Sequence, residues 1–394
     1  MVLGLSGCVH VKLRLDGEYE WEFGSGSDNS SSSSAPGGED HVESKNPGKL
    51  NNPESAESTG SVVIQGEEYI IEFTSDLYIY DKPVTYEDLV EIGKLTQLTN
   101  LVLMGNGISD ITPLAGLSNL TSLSVSMNPV SDLTPLKGLT KLTHLILTEC
   151  KASDLSPLSG LIKLETLSLA NSGISDISAL SGLTNLKTLC LDANQVSDLT
   201  PLKGLTKLSR LSMMENKVSD LSPLSGLTKL EELTLNDNEI SDITPLSGLK
   251  NLVSLRLNKN FISDVSPLSG NTELIHLELQ NNSINDITPL LNLKYLEWLS
   301  LDKNEIEEIP GILELKYLNY LSFSDNQIRD VSGLKYLTDL KNLSLDDNKI
   351  RDVSPLESLT GLVLLGLSGN PLESGDLERL KTKLPNCSVY FRDI

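Results

Sequence analysis

The chain has 394 residues, 4% aromatics and a formal net charge of −23. That acidity excludes nucleic acid and anionic lipid surfaces as partners of its folded face, and so few rings predict an aliphatic core. Four cysteines, Cys8, Cys150, Cys190 and Cys387, show neither metal-ligand spacing nor a disulfide framework, so no metal or cofactor is expected.

In chain order, residues 1–8 come first. Leu5, Ser6, Gly7 and Cys8 resemble a bacterial lipobox, in which the cysteine carries lipid after the signal is removed. Only Met1 to Leu5 stand before the serine, too little for the basic start and apolar run of such a signal, so a true start upstream of Met1 is inferred. Residues 9–23 alternate apolar and charged. A three-residue turn over Asp16, Gly17 and Glu18 would pair Leu15 with Tyr19, Arg14 with Glu20, Leu13 with Trp21 and Lys12 with Glu22.

Residues 24–60 are Ser, Gly, Asn, Pro and Glu, which cannot bury enough apolar surface to offset chain entropy. The segment is expected to be a flexible tether spanning ~30 to 37 Å. Residues 61–97 are expected to form an N-terminal cap: Leu77, Ile79 and Val84 form a degenerate first repeat, and Thr85 with Asp88 starts a helix.

Residues 98–375 repeat every 22 residues. Asn106, Asn128, Asn194, Asn216, Asn238, Asn260, Asn282, Asn304, Asn326, Asn348 and Asn370 keep that spacing, with Cys150 and Ser172 filling the two gaps. Around each lies a frame such as Leu230, Leu233, Leu235, Asn238, Ile240, Ile243, Leu246 and Leu249, a leucine-rich repeat. Leu-x-Leu has period two, so both leucines point inward from a short strand and the residues between them point outward. A step such as Thr244, Pro245 and Leu246 then starts a helical turn, with Ser or Thr suited to the N-cap and Pro to the first helical position. The buried Asn is expected to satisfy turn backbone from repeat to repeat. Asp at 110, 132, 154, 176, 198, 220, 242, 264, 286, 330 and 352, with Glu308 in the remaining copy, reads as a capped, solvated turn rather than a calcium ladder. The register breaks at Asn271, which occupies a leucine position, and at Ile309 to Ile312, where Pro310 arrives one residue early; local irregularity is expected at both. Residues 376–394 read as a closing helix, Asp376 to Leu384, and a last strand, Ser388 to Phe391.

The implied fold class is α/β, a solenoid with a parallel sheet on the concave face and short helical turns on the convex face. The tract resembles the 22-residue repeats of bacterial internalins and of eukaryotic phosphatase-regulatory subunits, and its wording from Asn238 to Leu252 is closest to the internalin type. That resemblance implies a non-enzymatic binding scaffold and says little of the ligand. No immunoglobulin-like domain or sorting motif follows the repeats, so an invasion role is not carried over.

The outward strand positions carry the functional expectation. In the first half they are small, as in Ser122 and Ser124, Thr166 and Ser168. Further on the first of them reads Ser254, His276, Trp298, Tyr320, Asn342, placing three rings on adjacent strands. Arg256 and Glu278 lie beside the rings, and Asp302, Asp325, Asp346 and Asp347 form an acidic rim suited to a basic or hydroxyl-rich partner. The alternative is that the rings pack on one another to stiffen the sheet. His144 and His276 are six repeats apart, roughly 29 Å, and cannot share a metal or a reacting group. The sequence therefore predicts a monomeric protein, lipid-anchored through Cys8 at the bacterial cell surface, presenting its concave face to a protein or glycan. The alternative class is an intracellular adaptor or phosphatase-regulatory module.

Overall fold

A computed structural model describes residues 60–392 and, as backbone only, the strands Val2–Gly4, His10–Leu13 and Tyr19–Glu22. Cys8 and nearly all of the tether lie outside the described residues. The chain divides into two compact units, Met1–Val196 and Ser197–Ile394.

In the first unit the three short strands pair antiparallel in chain order. The hairpin register is Leu13 opposite Tyr19, Lys12 opposite Glu20 and Val11 opposite Trp21. This is two residues from the expected pairing, which corrects it. A shift of two preserves the alternation along each strand, so in the backbone register apolar positions still oppose apolar ones and Lys12 is still opposite a glutamate. A second hairpin, Ser61–Ile64 with Glu67–Ile70, was not foreseen. It turns on Gln65 and Gly66, both at positive φ, 52° and 82°, the geometry that matches strand twist in a two-residue loop.

The repeats begin at Asp76–Tyr80, whose partner Asn100–Met104 lies 24 residues on in register. Helix Tyr86–Ile92 comes next. Thr85 and Asp88 close a reciprocal capping box at its start, and Leu89 and Ile92 are buried beneath it. Parallel strands Ser122–Ser124, His144–Ile146, Thr166–Ser168 and Thr188–Cys190 complete the unit, making six. The second unit holds nine: Arg210–Ser212, Glu232–Thr234, Ser254–Arg256, His276–Glu278, Trp298–Ser300, Tyr320–Ser322, Asn342–Ser344, Leu364–Gly366 and Ser388–Tyr390. Within each unit the central leucines are laterally in register, as Leu255, Leu277 and Leu299 are. The solenoid class is therefore correct, with 3₁₀ turns such as Thr244–Gly248 between strands.

Two devices hold each coil. On the strand side, Asn260 Oδ1 accepts the Ile240 amide at 3.0 Å, and its Nδ2 donates to the carbonyls of Leu235, Leu257 and Asn258. Buried backbone that the tight turn leaves unpaired is thus satisfied by one amide side chain. Ser172 makes two such bonds, to Leu147 and Ala170, and Cys150 donates to the Val125 carbonyl, its thiol pushed up to about 12 by burial. The residue before each Asn has a left-handed backbone, φ 51° to 59°, from Met127 to Asp347, with Gly105 and Gly369 at the same position. This requirement carries no sequence signature beyond those two glycines.

On the turn side, the expected N-cap role of Ser and Thr is corrected. The residue before them, for example Ile243, occupies the cap and makes no side-chain cap bond. The capping oxygen belongs to the aspartate: Thr244 N donates to Asp242 Oδ1 at 2.8 Å, and Thr134, Ser222, Thr288 and Ser354 repeat it. Hydrogen bonds from the Thr244 side chain and amide hold the Asp242 carboxyl below the ordinary carboxylate range.

The two expected irregularities part ways. Asn271 is fully buried yet ends its 3₁₀ turn with φ −90° and ψ 60°, like the leucines that replace it elsewhere, because Nδ2 donates to Leu246 O and Leu249 O. Its Oδ1 has no partner. At Ile309 to Ile312 the break is real: no 3₁₀ turn forms, and Glu308 makes an isolated parallel bridge to Asp330. A groove of about 510 Å³ opens there, lined by Asp286, Glu305, Glu308 and Pro310 among others. Helix Ser374–Lys383 closes the unit, with Leu377 and Leu380 buried and Arg379 paired to Glu357 at 2.6 Å.

Candidate functional site

The outward side of the second unit's strands is built from the positions the repeat leaves free. Leu299 and Leu301 are buried inward, so Trp298, Ser300 and Asp302 project to the other side. Ser300 and Ser322 are each only 1% exposed, but their hydroxyls donate to Asp302 on that same outward side, so neither faces the leucine core.

The three rings stand on successive strands in lateral register, His276 beside Trp298 and Trp298 beside Tyr320. They stack on one another. Trp298 and Tyr320 are 3.6 Å apart at 4° between planes, and His276 and Trp298 are 5.4 Å apart at 11°. Strand spacing of ~4.8 Å makes this inevitable once aromatics occupy neighbouring strands. Trp298 remains 36% exposed, at its edges.

The expected charged residues divide into two kinds. Arg256 and Glu278 are buried against each other, with Arg256 Nε 3.1 Å from Glu278 Oε1. Asn258 Nδ2 donates to Glu278 Oε2 at 2.7 Å, and His276 Nε2 lies 2.5 Å from Oε1. Burial pushes the Glu278 carboxyl up, but the bond from His276, the Arg256 charge and the Asn258 amide outweigh it and leave it below the ordinary range. These two residues brace the ring ladder rather than present free charge. Asp302, Asp325, Asp346 and Asp347 are different: no basic side chain among the described residues pairs with them. Asp325 and Asp347 are exposed. Asp302 is half-buried and accepts Ser322 Oγ and, at 2.7 Å, Ser324 N. Burial pushes its carboxyl above the ordinary range despite these bonds. Asp346 accepts Ser344 Oγ at 2.8 Å and Ser368 N at 2.7 Å.

Sequence reasoning missed that this third outward position is a backbone bridge. Asn236 accepts Asn258 N at 2.9 Å, and Asn258 accepts Gln280 N at 3.0 Å, as Asp302 and Asp346 do for their neighbours. The signal was available as Asn, Asn, Asp, Asp at a constant offset before each ladder asparagine. Among the described residues, no group of three or more His, Cys, Asp or Glu is placed so that it could hold a metal ion. No helix among the described residues is long and apolar enough to cross a membrane.

Comparison with known proteins places this face in context. A family model described as leucine-rich repeats (2 copies) matches residues 96–138, 162–204 and 206–248. No curated protein matches the sequence. Among solved structures the chain is similar to the internalin InlF of Listeria monocytogenes, with 37% identity and a TM-score of 0.73 over 78% of this chain and 88% of that one. A leucine-rich repeat protein of Leptospira interrogans is similar at 25% identity and a TM-score of 0.74, covering 79% of this chain and 81% of that one.

Proposed function

The chain belongs to the internalin-like family of leucine-rich repeat proteins, and we propose that it is a non-enzymatic binding protein, held by a lipid on Cys8 at the outer face of a bacterial membrane, that presents the outward strand face of its second unit to a protein ligand. The observation that carries the binding reading is the ring ladder, His276, Trp298 and Tyr320, three stacked rings at a strand position that in the other repeats holds Ser, Thr, Asn, Arg, Glu, Leu or the isolated His144. Side chains of that kind give large, rigid, amphipathic contact area.

The stacking narrows the ligand. A sugar ring binds an aromatic through its flat face, and both faces of Trp298 are covered, by His276 and by Tyr320. At Trp298 only ring edges remain, and with carboxylates flanking the ladder this suits a protein surface better than a glycan. Replacing both Trp298 and Tyr320 with Ala should remove at least nine tenths of the binding that the full chain shows on an array of purified extracellular proteins. Unchanged binding by that double variant would refute the site.

The anchor reading rests on Leu5 to Cys8 followed by the tether-like composition of residues 24–60. Mass spectrometry of the native N-terminus is expected to find a thioether-linked diacylglycerol on Cys8, and Cys8→Ser should release the protein from the membrane with the repeats intact. A Cys8 that is a free thiol or disulfide-linked in the native protein overturns this part.

A further inference from the structure

The carboxylates at the Tyr320 end of the ladder do a structural task that needs no charge. Asn236, Asn258, Asp302 and Asp346 each accept a backbone amide 22 residues on, at 2.7 to 3.0 Å. A neutral amide oxygen serves in two of the four repeats. Charge at Asp302 is costly, because burial disfavours its ionised form and no basic side chain among the described residues offsets it. Elsewhere on the same side the acids have partners: Arg210 with Glu232, Lys259 with Asp237, Arg256 with Glu278. Acids on this side can therefore be compensated internally, and at Asp302 and Asp346 no basic side chain among the described residues does so.

Geometry adds a second constraint. Asp302 and Asp346 stand two strand spacings apart, ~9.6 Å, with the small Ser324 on the strand between them. Gly366 lets the Asp346 carboxylate lie close over the next strand, since a Cβ there would meet Oδ2. Tyr320 stands two outward positions back along the chain from Ser324, with Ser322, a donor to Asp302, between them, and its ring meets Trp298 on one face and no ring on the other among the described residues. A flat cation with donors along both edges fills such a gap: it bonds a carboxylate on either side and lies against an aromatic ring, which a point-like ammonium does less well.

Resting on the reading of this face as the ligand surface, we propose that the protein partner inserts an arginine side chain between Asp302 and Asp346 at the open end of the ring ladder. The arginine supplies the counter-charge that the fold withholds, and the carboxylates select a basic segment over a neutral one. This choice costs stability in the free protein and returns specificity on binding, the usual trade at binding sites.

The test uses the full chain and three fluorescein-labelled nonapeptide mixtures with arginine, citrulline or glutamate fixed at the centre, read by fluorescence anisotropy. Citrulline keeps the shape of arginine and removes its charge. The arginine mixture should bind at least tenfold more tightly than the citrulline mixture, and the Asp302→Asn, Asp346→Asn double variant should shrink that ratio below twofold. Because Asn already bridges backbone at positions 236 and 258, the variant should fold normally, and circular dichroism checks this. Equal binding of arginine and citrulline that is lost in Trp298→Ala, Tyr320→Ala overturns the arginine proposal and leaves the face as the site. An arginine preference that survives the double Asn variant overturns the placement between the two aspartates.

Discussion

Two neighbouring repeats of the second unit separate the devices that hold this fold. In the first, after strand His276–Glu278, Asp286 caps Thr288 at 2.8 Å, Pro289 comes next, and a 3₁₀ turn runs Thr288–Asn292. In the second, after Trp298–Ser300, Glu308 stands in the Asp position, Pro310 comes one residue early, and no such turn forms. Yet the asparagine bonding is the same. Asn282 accepts Ile262 N and Asn304 accepts Ile284 N, each at 3.0 Å, and each Nδ2 donates to three carbonyls. Strand stacking therefore does not depend on the turn helix. That is why the ring ladder, which straddles these two repeats, keeps its register beside a disrupted turn.

The strongest way to break this comparison is to remove the amide from each repeat. Asn282→Ala and Asn304→Ala should each destabilise by about 3 kcal/mol, since several buried backbone groups lose their partner at once. Chemical denaturation of the full chain measures both. If the Asn304 variant loses less than half what the Asn282 variant loses, the turn and the strand side are coupled and the separation fails. Because each coil touches only its neighbours, the loss is also expected as early local opening by hydrogen exchange around residues 279–304.

A second asparagine sharpens the point from the other direction. Asn271 sits in the leucine layer with Oδ1 unpartnered and no exposure. Asn271→Leu should stabilise by about 1–2 kcal/mol, as an unsatisfied buried polar group is replaced by apolar volume the layer already accepts. A drop in melting temperature would show that its two donated bonds outweigh the orphan oxygen.

These contrasts also mark what the sequence discloses. The 22-residue period spells the strand, the inward leucines and the amide ladder, because each imposes one residue type on one position. It does not spell which atom caps the turn: Thr244 and Asp242 are both good caps, and only the backbone geometry assigns the role to the aspartate. Nor does it show that Asn271 would be absorbed without distortion, since that depends on two carbonyls offered by the preceding repeat. At the candidate site the ring positions were legible, as period two places them. The pairing of Arg256 with Glu278 and the bridge made by Asp302 were not, because both are contacts between repeats that residue identity alone leaves open.

A smaller effect is expected on the turn side. Asp286→Ala should cost up to about 1 kcal/mol at neutral pH, the value of a lost cap, whereas Glu308→Ala should be close to neutral because no turn helix depends on it. Bonds from the Thr288 side chain and amide lower the Asp286 carboxyl below the ordinary range. A depressed carboxylate contributes stability above the unfolded pKa of ~4, and that stability is lost as pH falls through the lower folded value. The gap between wild type and Asp286→Ala should therefore be full at pH 7 and close as the pH falls through and below the unfolded carboxylate value. A gap that persists in acid would assign the effect to helix propensity instead.

The smallest expected effect concerns the left-handed residue common to both repeats, Asn281 at φ 54° and Lys303 at φ 54°. An L-residue there costs roughly 1–2 kcal/mol, and asparagine escapes part of that through its own short side chain. Lys303 does not. Lys303→Gly relieves the strain but gives the unfolded chain more freedom, worth roughly 0.5–1 kcal/mol, so the net gain should be below about 1 kcal/mol. Lys303→Asn should gain a little without the entropic loss, and Lys303→Val should lose stability, since a β-branched side chain fits this backbone worst. Melting temperatures of the three variants give the order Asn and Gly above Lys, with Val lowest. If Val matches Lys, the position is not under left-handed strain, and the recurring positive φ before each ladder asparagine carries no energetic weight.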